Sequence, residues 1–376
     1  MNFPDSEAVC RVKDPLNWTE SYCKLMVSAC RELAVFHYQN CKAIDKLYRK
    51  YNFDPHSIKT EADIERIPMV GVTAMKFFLL LSLPEEKAVL KLTSSGTRGQ
   101  KTQVLFDHDS LERVQSQLTV LWEQEGLVSD QPTNYLMLCY DPEQANDLGI
   151  AFSVKNEQRF APIAESYYAV RKNKLGDWEF NMDAAVAKLR DFAKQGLPVR
   201  VSGITGFVYE LLEKLENTDP IKLHPNSFLL TGGGWKAAED KKVTRDFFRQ
   251  KAMRLLGIPL ENMRDGFGLA EHSAPYIECR EHRFHIPVYN RILIRDPLSM
   301  KLLPPGEPGL MELVTPFNAM MPTLAILSTD LAYLDKEKCP CGWNSPTFTI
   351  IGRGGLVKQK GCAIHAGEIV KREKMK

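Results

Sequence analysis

The residues best suited to hold a polyphosphate lie between Thr93 and Lys101, where the sequence reads TSSGTRGQK. Strand-like apolar runs flank this stretch, from Ala88 to Leu92 and from Thr102 to Phe106, so we predict a hairpin loop between two strands. Its glycines let main-chain N–H groups approach phosphate oxygens, its hydroxyl groups can donate hydrogen bonds, and its lysine supplies positive charge. The alternative is an ordinary surface turn rich in serine and glycine. The candidate phosphate-binding residues are Thr93, Ser94, Ser95, Gly96, Thr97 and Lys101.

Two more glycine-containing turns follow predicted strands. The first reads TGGGWK from Thr231 to Lys236, and its three consecutive glycines cost backbone entropy. The usual reason to tolerate that cost is the close approach of a ligand or of another main chain, and a flexible connector is the alternative. The second turn reads DGFGLAEH from Asp265 to His272. There the ring of Phe267 could lie on a base, and Glu271 could bind a magnesium ion that bridges phosphates.

Four residues in the C-terminal half form a candidate zinc-binding set: Cys279, His285, Cys339 and Cys341. Cys339 and Cys341 belong to a knuckle-like turn with the sequence CPCG. Three thiolates and one imidazole would complete a tetrahedral Zn²⁺ site. His282 competes with His285 for the fourth position, and a protein without zinc is the alternative.

Composition limits the kinds of partner. The 49 basic and 47 acidic residues nearly cancel, so no overall field draws the chain to nucleic acid or to anionic lipid. The longest apolar run, Phe77 to Leu83, is much shorter than the roughly 20 residues that span a bilayer. Nine scattered cysteines suit reduced thiols, and the first residues lack the character of a signal peptide. We therefore expect a cytoplasmic protein without a membrane span, and the sequence leaves its oligomeric state open.

The predicted elements place the glycine turns at strand ends. Apolar residues at helical spacing from Trp18 to Lys50 predict one or two helices, and the run from Val72 to Leu83 predicts another, buried helix. Farther along, strands alternate with helices, and this alternation implies an α/β fold with a largely parallel sheet and ligands at the carboxyl ends of its strands. The predicted strands here are 135–140, 199–202 and 228–230, and the predicted helices are 110–125, one from Asn181 to Gly196, 205–215 and 238–256.

After Val288 the pattern changes to short alternating runs separated by proline and glycine, which predicts a small antiparallel β-subdomain. These runs are 288–294, 310–315, 324–327 and 348–351. We predict four segments: a helical N-terminal part (1–90), an α/β nucleotide-binding core (91–287), the β-subdomain (288–355) and a C-terminal arm (356–376).

Five motifs follow one another along the chain: LTSSGT at 92–97, LTGGGWK at 230–236, FGLAE at 267–271, STDLA at 328–332 and Gly352-Arg353. In this order they resemble the adenylate-forming superfamily. Within it, the GGWK turn and the KGCA segment at 360–363 are most similar to the acyl-protein synthetases of the bacterial bioluminescence fatty acid reductase complex. The phenylacetate-CoA ligases are relatives of that group. The resemblance covers residues 92 to 363 and implies the large domain of an adenylate-forming enzyme.

The resemblance implies that ATP converts a fatty or other carboxylic acid into an acyl-adenylate. Thr93 to Lys101 would clamp the phosphates and Glu271 would bind Mg²⁺. Asp330, expected at a strand end, would accept hydrogen bonds from the ribose, and Arg353 would reach the ribose or a phosphate. The residues that would face adenine are Gly232, Gly233, Gly234 and Phe267. Two departures from the pattern concern the phosphate contacts: Ala270 replaces a threonine, and Arg98 replaces a small hydroxyl residue.

The resemblance also implies that Cys362 receives the acyl group as a thioester and passes it to a partner acyl reductase. A free thiol with a pKa of about 8.5 is partly ionised at neutral pH, and Lys358 and Lys360 would favour the thiolate. Lys360 is also the candidate for a lysine that assists adenylation. Because the sequence runs only to Lys376, we expect the superfamily's C-terminal lid to be reduced to a short arm.

Alternatives remain at the level of function. One is an acyl- or aryl-CoA ligase of the phenylacetate-CoA ligase type, which would release its thioester to CoA. Another is a non-catalytic nucleotide-binding scaffold subunit, in which the cysteine of the arm would be idle. The sequence leaves the length of the acid open, as well as whether the pathway is luminescence.

Overall fold

A computed structural model describes residues 2–93, 102–144, 156–173, 175–235 and 240–353. Main-chain contacts divide the chain into two compact units. The first unit contains the described residues before 126 and those after 267, and the second contains the described residues from 126 to 267. The predicted division into four functional segments stays a prediction.

The α-helices of the described residues are α1 (Pro4–Cys10), α2 (Glu20–Asn40), α3 (Lys42–Lys50), α4 (Glu61–Ile64), α5 (His108–Gln124), α6 (Met182–Gln195), α7 (Thr205–Leu215) and α8 (Arg245–Leu256). The strands are β1 (Val70–Gly71), β2 (Leu90–Thr93), β3 (Gln103–Phe106), β4 (Thr133–Tyr140), β5 (Ile163–Lys172), β6 (Trp178–Phe180), β7 (Val199–Ile204), β8 (Phe228–Gly232), β9 (Met263–Phe267), β10 (Tyr276–Ile277), β11 (Phe284–His285), β12 (Arg291–Arg295), β13 (Gly309–Val314), β14 (Ala325–Leu334) and β15 (Thr347–Arg353). Among these helices, none combines the length and apolar character that a membrane crossing requires.

In the first unit, the helical spacing from Trp18 to Lys50 is confirmed as two helices, α2 and α3, which meet at Cys41. Thr19 caps α2, because its hydroxyl accepts a hydrogen bond from the N–H of Tyr22. Cys41 has an extended backbone, with φ −122° and ψ 109°, and this conformation ends one helix before the next begins.

The prediction of a buried helix over Val72 to Leu83 is wrong. Ala74–Lys76 form a single 3₁₀ turn, and Phe77 and Phe78 are 60% and 63% exposed. The N–H groups near both ends of the segment, at Val72 and Ser82, donate to main-chain carbonyls of other segments. Because these hydrogen bonds hold both ends of the segment against other parts of the chain, the consecutive apolar residues between them do not form a helix with one buried face.

The main sheet of the first unit has the strand order β11-β15-β14-β13-β12, and the neighbours in this order are antiparallel. Short β1 also pairs with β14, in parallel. The antiparallel pattern predicted after Val288 is therefore confirmed. A separate antiparallel hairpin joins β2 to β3, with Thr93 opposite Gln103. It confirms the two strands predicted on either side of the phosphate-loop candidate.

The sheet of the second unit has the strand order β9-β8-β7-β4-β5-β6. Its first five strands are parallel and only β6 is antiparallel, so the predicted, largely parallel sheet is confirmed. Helices α6, α7 and α8 contribute apolar side chains to the core on this sheet. Asn181 caps the start of α6 and Gly196, with φ +72°, ends it, as predicted. Helix α8 begins at Arg245, later than the predicted start at residue 238.

Candidate functional site

The structure describes only part of the predicted phosphate and acyl sites. Thr93 is the half-buried last residue of β2. Lys360, Cys362 and the side chain of Arg353 lie outside the described residues. The remaining phosphate-loop candidates also lie outside them, namely Ser94, Ser95, Gly96, Thr97 and Lys101. The roles of all these residues stay predictions.

The glycine turn of the second unit begins at Gly232, the last residue of β8. A Cβ atom on Gly232 would lie 3.3 Å from the carbonyl oxygen of Gly266 in β9, so this glycine permits the close approach of two main chains. Gly233 and Gly234 have φ values of +71° and +73°, in the left-handed region that other residues rarely adopt. The turn therefore requires glycines for two different backbone reasons.

Trp235 fixes the end of this turn to the core of the second unit. Its ring centroid lies 5.0 Å from that of Tyr209 on α7 and 6.3 Å from that of Phe248 on α8, and both ring pairs meet edge to face. A turn held at one end by packed aromatic rings can keep its main-chain N–H groups in place for a ligand.

Phe267 and the glycine turn lie at the same edge of the second unit's sheet. Strands β8 and β9 are parallel neighbours with Gly232 opposite Gly266, and both reach their carboxyl ends here. Phe267 is the half-buried last residue of β9. Two predicted nucleotide-binding elements thus come together at the edge where parallel sheets usually bind ligands.

Sequence reasoning missed a polar group beside these elements. The hydroxyl of Thr231 donates a 3.0 Å hydrogen bond to Oδ1 of Asp265, and Nη2 of Arg245 lies 3.9 Å from Oδ2. Burial raises the pKa of Asp265, and the positive charge of Arg245 opposes that rise. The signal in the sequence was Asp265 itself, two residues before Phe267 on the same strand.

Glu271 lies in a tight turn of the first unit and is only 8% exposed. The turn is closed by a hydrogen bond from the hydroxyl of Ser273 to the carbonyl of Ala270, with Ser273 at φ +59°. The neighbouring His272 is fully buried, and its Nε2 lies 3.0 Å from the hydroxyl of Tyr276. In the described part of the chain no side chain pairs with Glu271, so its carboxylate suits a hard cation such as Mg²⁺.

Asp330 lies within β14 and not at a strand end as predicted, because β14 continues to Leu334 by pairing with β15. Its side chain is buried, and its N–H donates to the hydroxyl of Ser328 at 2.9 Å. The β14–β15 register places Asp330 opposite Arg353.

The four candidate zinc ligands come together in the first unit. Cys279, His285, Cys339 and Cys341 form what we call the thiol–imidazole cluster, in which the ligand atoms all lie within 4.8 Å of one another. The Sγ atoms of Cys279 and Cys339 are 3.6 Å apart, and Sγ of Cys341 is 3.2 Å from Nε2 of His285. All four residues are buried or half-buried.

The structure also decides between the two candidate histidines. His285 belongs to β11 and points its Nε2 at Cys341. His282 has a left-handed backbone, with φ +58°, and its Nδ1 lies 3.9 Å from a carboxylate oxygen of Glu278. His285 is therefore the member of the cluster, and His282 is not.

A family model described as "Acyl-protein synthetase, LuxE" matches residues 6–370, nearly the whole chain. The chain belongs to the acyl-protein synthetase, LuxE, family. As a member of this LuxE family it is a ligase. The match includes the described glycine turns, the Asp330 strand and the C-terminal segment that resembles the acyl-accepting arm.

The curated relatives that the chain resembles are also named as ligases. The long-chain-fatty-acid–luciferin-component ligase of Aliivibrio fischeri is 24% identical over 363 residues, which cover 95% of this chain and 92% of that protein. The ligase of the same name from Vibrio harveyi is 25% identical over 306 residues, covering 80% and 78%. A phenylacetate-coenzyme A ligase of Thermus thermophilus is 22% identical, covering 83% and 65%.

Solved structures show the fold of this LuxE-family chain. A crystal structure of 2-hydroxyisobutyryl-CoA ligase with 2-HIB-AMP and CoA aligns with a TM-score of 0.66 at 15% identity, over 91% of this chain and 70% of that one. A long-chain-fatty-acid-CoA ligase of Archaeoglobus fulgidus aligns with a TM-score of 0.51 at 13% identity, over 73% and 53%. The predicted α/β, adenylate-forming fold is confirmed.

Proposed function

We propose that this ligase uses ATP to activate a fatty acid as an acyl-adenylate, transfers the acyl group to Cys362 and passes it to a partner acyl reductase. The observation that carries the proposal is the family match over residues 6–370, since this range includes every motif to which a role is assigned. The cofactors of the reaction are ATP and Mg²⁺, whereas Zn²⁺ would have a structural part only.

The nucleotide would be held by residues with distinct tasks. The ring of Phe267 contacts adenine, because a flat aromatic ring can stack on a base. The glycine turn also contacts adenine, because a main chain without side chains lets the base come close. Asp330 accepts hydrogen bonds from the ribose hydroxyls, with Arg353 beside it, and Glu271 binds Mg²⁺. Thr93 and the hydroxyl residues that follow it donate hydrogen bonds to the phosphates. The buried carboxylate of Glu271 supports its part in this proposal, because a buried carboxylate needs a hydrogen-bond donor or a cation.

In the first step, a carboxylate oxygen of the fatty acid attacks the α-phosphorus of ATP and pyrophosphate leaves. A carboxylate is a poor acceptor of nucleophiles, and the mixed anhydride with AMP provides the leaving group that it lacks. Mg²⁺ and the positive charge of Lys101 would stabilise the charge that develops on the phosphates. Lys360 is the candidate for a further positive charge at this step.

In the second step, the thiolate of Cys362 attacks the acyl carbonyl, a C–S bond forms and AMP leaves with the electron pair of the broken C–O bond. Lys358 and Lys360 neighbour this cysteine in the sequence and would favour its thiolate form. A thiol of the reductase could then take the acyl group by exchange of one thioester for another. The transfer needs reduced thiols, which suits the cytoplasm.

A CoA ligase is the second candidate function. Two observations favour it: the relative named phenylacetate-coenzyme A ligase, and the fold shared with a ligase whose crystal structure contains CoA. The two functions share the first step and differ only in the thiol that intercepts the adenylate. Label from the fatty acid would end on CoA in one case and on the protein in the other.

Phe267→Ala tests the adenylation step. Stacking of a base on an aromatic ring contributes about 1–3 kcal/mol, so the KM for ATP in fatty-acid-dependent ATP–pyrophosphate exchange should rise roughly 5- to 150-fold. Phe267→Tyr keeps the ring and should stay near wild type. Phe78→Ala removes an exposed phenylalanine and serves as the control for loss of a ring. If the wild-type protein shows no exchange with any fatty acid, adenylation is contradicted and a scaffold subunit is favoured.

A further inference from the structure

We propose that the thiol–imidazole cluster binds one structural Zn²⁺ ion, and that this ion fastens the N-terminal segment around Trp18 to the β14–β15 connection. The proposal is independent of the acyl-transfer function, because it concerns a different group of residues. It rests on the geometry of four side chains from two segments of the first unit and on the hydrogen bonds around them.

The distances in the cluster suit a tetrahedral zinc. With Zn–S bonds of about 2.3 Å, two thiolates on one ion lie about 3.8 Å apart, and the Sγ atoms of Cys279 and Cys339 are 3.6 Å apart. This separation is much longer than a disulfide bond of about 2.05 Å, and both cysteines are free. Three sulfurs and one imidazole nitrogen are one of the donor sets found in structural zinc sites.

Two local structures bring the ligands together. A tight turn connects β10 to β11: the N–H of Cys279 bonds to the carbonyl of Arg283, and this turn returns the chain to His285. The other two ligands come from the connection between β14 and β15, where Gly342, at φ +103°, follows Cys341. Two separate turns of the backbone thus place the four ligand side chains next to one another.

Hydrogen bonds between these turns hold them in place. The guanidinium of Arg280 donates to the carbonyl of Cys341 at 3.1 Å, and that of Arg283 donates to the carbonyl of Glu337 at 3.0 Å. The donors and acceptors here are separate from the four ligand atoms. A preformed frame of this kind lowers the cost of organising the ligands around an ion.

Ser345 orients the imidazole of the cluster. Its hydroxyl lies 2.8 Å from Nδ1 of His285, which leaves Nε2 directed at Cys341. Metal-ligating histidines usually make such a bond through their second nitrogen, and it fixes the ring for the metal. Both His285 and Ser345 are buried, at 2% and 5% exposure, so this hydrogen bond is protected from water.

The β14–β15 connection also holds the N-terminal segment. The N–H of Trp18 donates to the side-chain carbonyl of Asn344 at 2.6 Å, and the amide of Asn344 donates back to the carbonyl of Trp18. The N–H of Ser345 donates to the carbonyl of Leu16 at 3.1 Å. A zinc ion that fixes Cys339 and Cys341 would therefore stabilise these bonds too.

Because all four ligands come from the protein, the proposed ion has no open position for substrate and would be structural. The test measures metal in the full-length protein purified from cells supplied with zinc. Elemental analysis should find about one zinc ion per chain. Cys341→Ser should remove it, and Ser345→Ala should lower zinc affinity about 10- to 100-fold in competition with a chelator. His282→Gln, which changes the histidine outside the cluster, should keep the zinc.

Wild-type protein provides a second measurement that needs no variant. Removal of zinc by a chelator should lower the melting temperature and speed hydrogen exchange in peptides that contain Trp18 and Ser345, and added Zn²⁺ should reverse both changes. The proposal is overturned if the wild-type protein neither contains nor takes up stoichiometric zinc, if it holds another metal in preference, or if Cys341→Ser keeps wild-type zinc content.

Discussion

The side chains of Asp265 and His285 contact residues that are distant in the sequence. Asp265 accepts its hydrogen bond from Thr231, 34 residues earlier, and His285 meets Cys341, 56 residues later. The residue types of the zinc set could be predicted from sequence, because few other donors suit zinc. The choice of His285 over His282 could not, since it depends on the turn that the intervening backbone makes.

A buried histidine leads to a prediction at this scale. His37 on α2 is 1% exposed, with its Nδ1 2.8 Å from the hydroxyl of Ser82, and burial lowers the pKa of His37 to about 3. Below about pH 6.5 the unfolded chain binds a proton there that the folded protein does not bind. The stability that the folded protein gains by keeping His37 neutral is therefore fully present above about pH 6.5. As the pH falls from there towards 3, the free energy of unfolding decreases by about 1.4 kcal/mol per pH unit.

Urea unfolding at about pH 6 and about pH 5 measures this loss. In His37→Gln, the decrease in the free energy of unfolding between these two values should be about 1.2 kcal/mol smaller than in the wild type. His56→Gln, which changes a histidine that is exposed in the folded protein, is the control substitution. Equal decreases in His37→Gln and the wild type would show that His37 does not stay neutral in the folded state.

At the scale of elements, boundaries set by local chemistry could be predicted from the sequence. Helix α6 begins after Asn181 and ends at Gly196 because a side-chain cap and a left-handed glycine act within a few residues. The path from Val72 to Leu83 could not be predicted, since distant main-chain partners determine it. Strand β5 was missed too, because its partly exposed and charged sequence shows no clear alternation.

The glycine turn after β8 leads to a prediction at this scale. Gly234 has φ +73°, and no atom of the described residues lies within 4 Å of a Cβ placed on it, so a substitution meets backbone strain without a clash against them. Gly234→Ala should lower the free energy of unfolding by about 1 kcal/mol relative to Gly234→Asn, since asparagine tolerates the left-handed region. Urea unfolding of both variants measures the difference.

Gly71→Ala is the matched control for this prediction. Among the residues that the structure describes, a Cβ on Gly71 also meets no atom within 4 Å, and the φ of Gly71 lies outside the left-handed region. The alanine there should be neutral or slightly stabilising, because it only restricts the unfolded chain. Equal stability of Gly234→Ala and Gly234→Asn would mean that the turn can change its conformation without cost, and that it does not present a fixed main chain to a ligand.

At the scale of the whole molecule, the order of motifs predicted the superfamily, and the match over residues 6–370 shows the family. The TGGGWK motif could be recognised in the sequence because only glycine readily adopts the left-handed φ that its turn requires at Gly233 and Gly234. The identity of the acid could not be predicted, since side chains from many elements would determine the pocket. In the proposed reaction, a thiol of the chain itself intercepts the adenylate.

The most direct test incubates the purified protein with ATP, Mg²⁺ and a radiolabelled fatty acid, and follows label that stays on the denatured protein and is released by hydroxylamine. We expect such label on the wild type and on Cys23→Ser, a change at a half-buried cysteine of α2, and none on a folded Cys362→Ser variant. Label retained by Cys362→Ser, or label found only on added CoA, would rule out acyl transfer to Cys362.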